Sequence, residues 1–238
     1  MLRKTLAKLR QANILLHRYS YTNPPMEIVY RELLLQELAR ANVADRFYPV
    51  GGAANHSLLY VIARIMNELD VRNVVELGAG ETTILLDRMR RATGRDCMIR
   101  TVEHDASWVD RIRSQVEHSI VHAPLRPAVA GGVTISYYDA EPAMFGAGVD
   151  LAIIDGPPAS NAGERNRRLG AFDLLKNNLA SDFVLVIDDW ERSGEMRLAC
   201  MFESYFAARK VDYAANTLRA DKSQIVFAAG KFRQAAFY

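Results

Sequence analysis

From about residue 71 onward the chain alternates short apolar runs with amphipathic stretches. Val74-Val75-Glu76-Leu77, Met98 to Val102, Asp150 to Ile154 and Phe183 to Ile187 predict strands, and Ser119 to His122 a weaker one. Between and after them, Thr82 to Arg91, Ser107 to Val116, Arg167 to Leu179 and Glu195 to Lys210 carry apolar residues at helical spacing. The last two runs, Val211 to Leu218 and Gln224 to Ala229, are joined only by Ala220-Asp221-Lys222 and predict an antiparallel hairpin. Strands alternating with helices predict an α/β fold, a doubly wound and mostly parallel sheet with helices on both faces.

The N-terminal part has a different rhythm. Its first 26 residues hold Arg3, Lys4, Lys8, Arg10 and Arg18 but no acid, with Leu2, Leu6, Leu9 and Leu16 near helical spacing. That pattern predicts a basic amphipathic helix. A transit peptide is the other reading, but the segment is poor in serine and runs on into a second helical pattern, so a packing arm is expected. Asn23-Pro24-Pro25 breaks the chain, and Met26 to Ala41 predicts the second helix. After a loop at Tyr48-Pro49-Val50-Gly51-Gly52, Ser57 to Leu69 predicts a third, with Asn55 or Ser57 as its cap. Residues 1–54 are therefore expected to form a helical extension and residues 55–238 the main domain.

Composition narrows the class. Of 238 residues half are hydrophobic and 24% charged, which excludes a disordered or low-complexity protein. No apolar run approaches the roughly 18 residues needed to cross a bilayer, so no membrane partner is expected. Cys97 and Cys200 are too few for a disulfide framework or a four-thiolate zinc site. The default expectation is a reducing, cytoplasmic setting. A net charge of +2 offers no global field for nucleic acid, and a small molecule is the expected partner.

Ligands of open parallel sheets lie beyond the carboxyl ends of the strands, and here those ends carry acids. Glu76 precedes Gly78-Ala79-Gly80, a tight turn that lets backbone approach a ligand at a helix start. Thr83 stands where a dinucleotide fingerprint wants glycine or alanine, and Glu76 would repel a pyrophosphate while suiting a cationic ligand. Glu103 ends the second strand, where an acid can accept both hydroxyls of a ribose. Asp155 ends the Asp150 to Ile154 strand, and Asp188-Asp189 ends the next. Three such carboxylates need a positive partner, either a hard cation such as Mg²⁺, Mn²⁺ or Ca²⁺, or the side chains of Arg168 or Arg192. His56 is a candidate base or simply an exposed loop histidine. Arg165, Arg167 and Arg168 read as an anion clamp or as a solvated run.

Glu76-Leu77-Gly78-Ala79-Gly80, Glu103, the Asp155-Gly156-Pro157-Pro158 turn and Asp188-Asp189, in that order, resemble a class I S-adenosylmethionine-dependent methyltransferase over about residues 55–230. The resemblance implies a Rossmann-like, seven-stranded sheet whose last strand is reversed. It also implies a site for S-adenosyl-L-methionine formed by Glu76, Gly78, Ala79, Gly80, Thr82, Thr83, Glu103, His104 and Asp155. In it, Glu76 and the glycine loop hold the methionine part and Glu103 the ribose. Asp155, Asp188 and Asp189 are similar to the metal-binding acids of the catechol and caffeoyl-CoA O-methyltransferases, which implies Mg²⁺. Those enzymes usually carry Asp-Asn at the second pair, and Asp189 adds a charge where their amide stands. The segments His122 to Leu125, Arg165 to Arg168 and Asp188 to Glu195 also look like a less characterised small-molecule branch, for which the resemblance names no acceptor. The Asp-Pro-Pro-aromatic motif of DNA amino-methyltransferases is absent, because Gly156 separates Asp155 from the prolines. The expected activity is methyl transfer to a hydroxyl of a small molecule, with a divalent ion on Asp155, Asp188 and Asp189 lowering the hydroxyl's pKa or, without metal, His56 or one of the acids taking the proton. The alternatives are a nicotinamide-dependent oxidoreductase, against which Glu76 and Thr83 count, and a non-catalytic nucleoside-binding protein.

Overall fold

A computed structural model describes residues 2–44, 46–48, 54–146, 148–161 and 163–238. The chain opens with helices α1 (Leu2–Tyr21), α2 (Met26–Arg40) and α3 (His56–Glu68). Then β1 (Asn73–Leu77), α4 (Glu81–Thr93), β2 (Met98–Glu103), α5 (Ala106–Arg113) and β3 (Ser119–His122) form the first half of the sheet. A hairpin of β4 (Leu125–Ala130) and β5 (Val133–Tyr138) precedes β6 (Val149–Ile154), α6 (Gly170–Leu175), β7 (Leu179–Ile187), α7 (Ser193–Ala208), β8 (Tyr213–Arg219) and β9 (Ser223–Ala229).

The sheet has seven strands in the order β3-β2-β1-β6-β7-β9-β8. All neighbours are parallel except β9, which runs antiparallel between β7 and β8. The α/β fold, the seven strands and the reversed final strand match the sequence expectation. The period of two along each strand explains why both faces are covered. Val74, Leu151, Ile153, Val184 and Val186 join the core beneath α2, α3 and α4. Val75, Leu77, Ala152, Ile154, Leu185 and Ile187 join the opposite core under α6, α7 and the β4–β5 hairpin.

Several elements differ from expectation. The β4–β5 hairpin is absent from the periodicity because Pro127 lies within β4, and its turn is the positive-φ pair Gly131-Gly132. The helix expected from Arg167 to Leu179 is a 3₁₀ turn at Arg167–Leu169 followed by the short α6, and Leu179 already belongs to β7. Asn55 holds the N-cap position of α3, but its side chain caps nothing; it is engaged with Glu27, Ser57 and Gln224. The predicted loop at Tyr48 to Gly52 lies, beyond Tyr48, outside the described residues. Among the described residues no helix is long and apolar enough to cross a membrane.

The junction of α1 and α2 is tied to the carboxyl end of the sheet. Asn23 N–H donates to the Ala220 carbonyl at 2.9 Å, and the Tyr21 ring meets Trp190 edge-on at 5.6 Å. Deeper in the same segment, α2 buries Leu34 and Leu38 against the α3 core.

Candidate active site

Between β1 and β6 the strand order reverses direction of growth, and the crevice above such a point is where open α/β sheets hold ligands. The β1–α4 turn forms its floor. Gly78 has φ +104°, a conformation that favours glycine, and a Cβ there would lie 2.7 Å from the Gly156 nitrogen. At Gly80 the backbone is extended and a Cβ would meet no atom within 4 Å. The two glycines thus answer different demands: Gly78 lets the β1 and β6 turns touch, whereas nothing in the protein itself requires Gly80.

Glu76 is fully buried behind this loop. Its Oε2 accepts from the Thr83 and Thr101 hydroxyls, each at 2.7 Å, and Thr83 Oγ1 in turn accepts the Gly80 N–H at 2.8 Å. Its Oε1 has no hydrogen-bond partner. Burial pushes the carboxyl up to about 7, against the pull of the Thr82, Thr101 and Thr83 hydroxyls. Thr83, which spoils the dinucleotide fingerprint, is therefore the pin between Glu76 and the loop.

Glu103 sits at the end of β2 beside the same loop. Its Oε2 accepts the Ala79 N–H at 3.0 Å, and its Oε1 accepts the backbone N–H groups of His104 and Asp105 at 2.7 and 2.8 Å. His104 Nδ1 lies 2.6 Å from Oε1. Against the cost of burial, His104 and the N–H groups of Asp105 and Ala79 hold the Glu103 carboxyl below its ordinary value. Glu103 is thus a stable anion, with lone-pair room left on Oε2.

The third group is the acidic cluster. Asp155, Asp188 and Asp189 each place an oxygen within 4.8 Å of the others. Asp188 and Asp189 are buried, and only Asp155, with 18% of its side chain exposed, reaches the crevice. Asp189 adopts φ +58°, a left-handed geometry that aspartate tolerates. Arg168 is buried among these acids. It lies 3.0 Å from Asp189 Oδ2, 3.4 Å from Asp155 Oδ1 and 3.6 Å from Glu195, and it donates to the carbonyls of Pro157, Asp188 and Asp155. Arg192 lies 2.8 Å from Asp189 Oδ2, and Lys222 Nζ lies 3.5 Å from Asp188 Oδ2 and 3.7 Å from Asp189 Oδ1. Burial and the Asp188 charge push the Asp155 carboxyl well above its ordinary value. Against burial, Lys222, Arg168 and the Gln224 amide hold Asp188 low.

The remaining candidates are dispersed. His56 starts α3, and its Nδ1 is 2.8 Å from Glu27 Oε1 rather than on the acidic cluster. The Arg165 to Arg168 run splits. Arg168 turns inward, while Arg165 and Arg167 line a polar hollow of about 310 Å³ with Thr134, Ser136 and Asn166. The periodicity gave no sign of four further residues here. Trp108 donates its indole N–H to the Ala79 carbonyl at 2.7 Å, and Gln224 donates to Asp188 Oδ1 at 2.6 Å. Tyr138, on the unforeseen hairpin, points a buried hydroxyl without a hydrogen-bond partner at the Gly156 turn. Lys222 had read only as part of a hairpin connector.

No protein-family model matches the chain, and no curated protein matches it. The chain is similar to solved methyltransferase structures. One is an O-methyltransferase from Bacillus cereus in complex with SAH, at 18% identity and TM-score 0.46, covering 85% of this chain and 91% of that one. Another is the O-methyltransferase TomG from Streptomyces achromogenes in complex with SAM, at 12% identity and TM-score 0.45, covering 92% and 96%. A third is the SAH-bound methyltransferase PaMTH1 from Podospora anserina, at 11% identity and TM-score 0.45, covering 94% and 96%. At such identities and scores, function rests on this chain's own residues.

Proposed function

We propose that this chain is an S-adenosylmethionine-dependent methyltransferase acting on a hydroxyl of a small molecule. The observation that carries the proposal is the 3.0 Å bond from Ala79 N–H to Glu103 Oε2. It joins the acid suited to a ribose and the glycine turn suited to close backbone approach in one crevice. The Glu103 anion beside that crevice disfavours a pyrophosphate and favours a cationic sulfonium ligand. The pinned Thr83 favours this ligand over a nicotinamide dinucleotide.

In the proposed reaction the acceptor oxygen attacks the methyl carbon as the carbon–sulfur bond breaks. The electron pair returns to sulfur, and the hydroxyl proton leaves. Positioning supplies most of the rate. Asp155, the member of the cluster that reaches the crevice, is placed to take that proton. His56, oriented through Nδ1 by Glu27, is the other candidate for this step.

The test is incubation with methyl-labelled S-adenosylmethionine and a panel of phenols, aliphatic alcohols, amines and carbon nucleophiles, read by mass spectrometry. Labelled ether product is expected, with kcat lowered at least about tenfold in Asp155→Asn and KM for the donor unchanged. Product formed at an undiminished rate by that variant removes Asp155 from proton transfer. Label on nitrogen or carbon acceptors alone removes the hydroxyl assignment.

A further inference from the structure

The spacing of Asp155, Asp188 and Asp189 is that of a carboxylate metal site, and the donor chemistry, oxygen only, is that of a hard cation. The space between the acids, however, belongs to cations of the chain. Asp189 Oδ2 is shared by Arg168 at 3.0 Å and Arg192 at 2.8 Å, and Asp155 Oδ1 faces Arg168 at 3.4 Å. Asp188 Oδ1 is taken by the Gln224 amide. Two buried oxygens of the cluster lack a hydrogen-bond partner, Asp188 Oδ2 and Asp189 Oδ1, and these are the two that face Lys222 Nζ. With Glu195 buried 3.6 Å from Arg168, four formal negative charges meet three formal positive ones. A divalent ion would turn that deficit of one into a surplus of one in a buried region and would have to displace Lys222. The set does not fit a divalent ion.

Lys222 is held in place from several sides. Its carbonyl accepts the Ala220 N–H at 2.9 Å, and Ala220 in turn accepts from Asn23 on the α1–α2 junction. The next residue, Ser223, donates through N–H and hydroxyl to Glu191 and accepts from Trp190 N–H. The loop after β7 and the N-terminal extension therefore both fix the turn that carries the ammonium group.

We infer that Lys222 is the resident cation of the acidic cluster, standing where related sites hold a divalent ion, and that the cluster binds none. The inference deepens the methyltransferase proposal by making its reaction metal-independent. Lys222 is a positioning residue, orienting Asp188 and Asp189 and through them the end of β7.

The test titrates Mn²⁺ into the full-length protein, with and without S-adenosylhomocysteine, following free Mn²⁺ by electron paramagnetic resonance. Wild type is expected to show no saturable site up to about 1 mM, the upper end of the range in which dedicated carboxylate sites fill. Lys222→Ala, and Lys222→Met as a variant that keeps the apolar stem, should gain a site at least about tenfold tighter, lost again when Asp188→Asn is added. A saturable wild-type site abolished by Asp188→Asn overturns the inference, as does the absence of any gain in both folded Lys222 variants. S-adenosylhomocysteine binding is read separately in each protein, so failure of the methyltransferase proposal is distinguishable from failure of this one.

Discussion

Gly78 and Gly156 stand back to back at the ends of β1 and β6, so close that a Cβ on Gly78 would sit 2.7 Å from the Gly156 nitrogen and 2.9 Å from its Cα. Two residues on, Gly80 has open space instead. Gly78→Ala is therefore expected to destabilise the protein by about 1–3 kcal/mol through backbone strain and overpacking. Gly80→Ala should leave the melting temperature unchanged while weakening S-adenosylhomocysteine at least about tenfold. Thermal melts beside calorimetry separate the two effects, and normal ligand affinity in folded Gly80→Ala would show that no ligand approaches this turn.

Glu76 gives a pH dependence with a fixed sign. Its folded carboxyl is raised to about 7 from an ordinary 4.5, so the native state holds the proton more tightly than the unfolded chain. The stability it contributes is full below pH 4.5 and is lost as pH rises through about 7, a change on the order of 3 kcal/mol. Glu76→Gln should match wild type near pH 4 and exceed it by on the order of 1–3 kcal/mol at pH 8, measured by urea unfolding. Equal stability at both pH values would mean that Glu76 is not held neutral by burial.

Arg168 ties the ends of β6 and β7 to Glu195 beneath them. Its loss leaves buried acids uncompensated, and Arg168→Met should cost about 3–5 kcal/mol. Arg168→Lys should recover only part of this, because one ammonium cannot reach three carbonyls and three acids together. Urea midpoints of the three proteins check the order.

The sheet was legible because β1, β2, β6, β7 and β9 are short apolar runs closed by an acid or a glycine, and the reversed β9 follows from its three-residue link to β8. The β4–β5 hairpin was not, since Pro127 and four exposed positions in β4 hide the alternation. The acids of the candidate site were legible because strand ends mark them one by one. Their counter-charges were only half legible. Arg168 and Arg192 stood in view among the candidates. Lys222 reaches Asp188 from a turn beyond the next helix, a neighbour that only the antiparallel pairing of β7 with β9 creates.

The methyltransferase proposal stands or falls on what enters the crevice between Glu103 and the Gly78–Gly80 turn. Calorimetric titration of the full-length protein with S-adenosylhomocysteine and, separately, with NAD measures this directly. The expected result is saturable one-to-one binding of S-adenosylhomocysteine, no binding of NAD, and a loss of about 10- to 150-fold in folded Glu103→Ala, the worth of hydrogen bonds to a charged acceptor. Binding of NAD in its place, or S-adenosylhomocysteine affinity unchanged by Glu103→Ala, would contradict it.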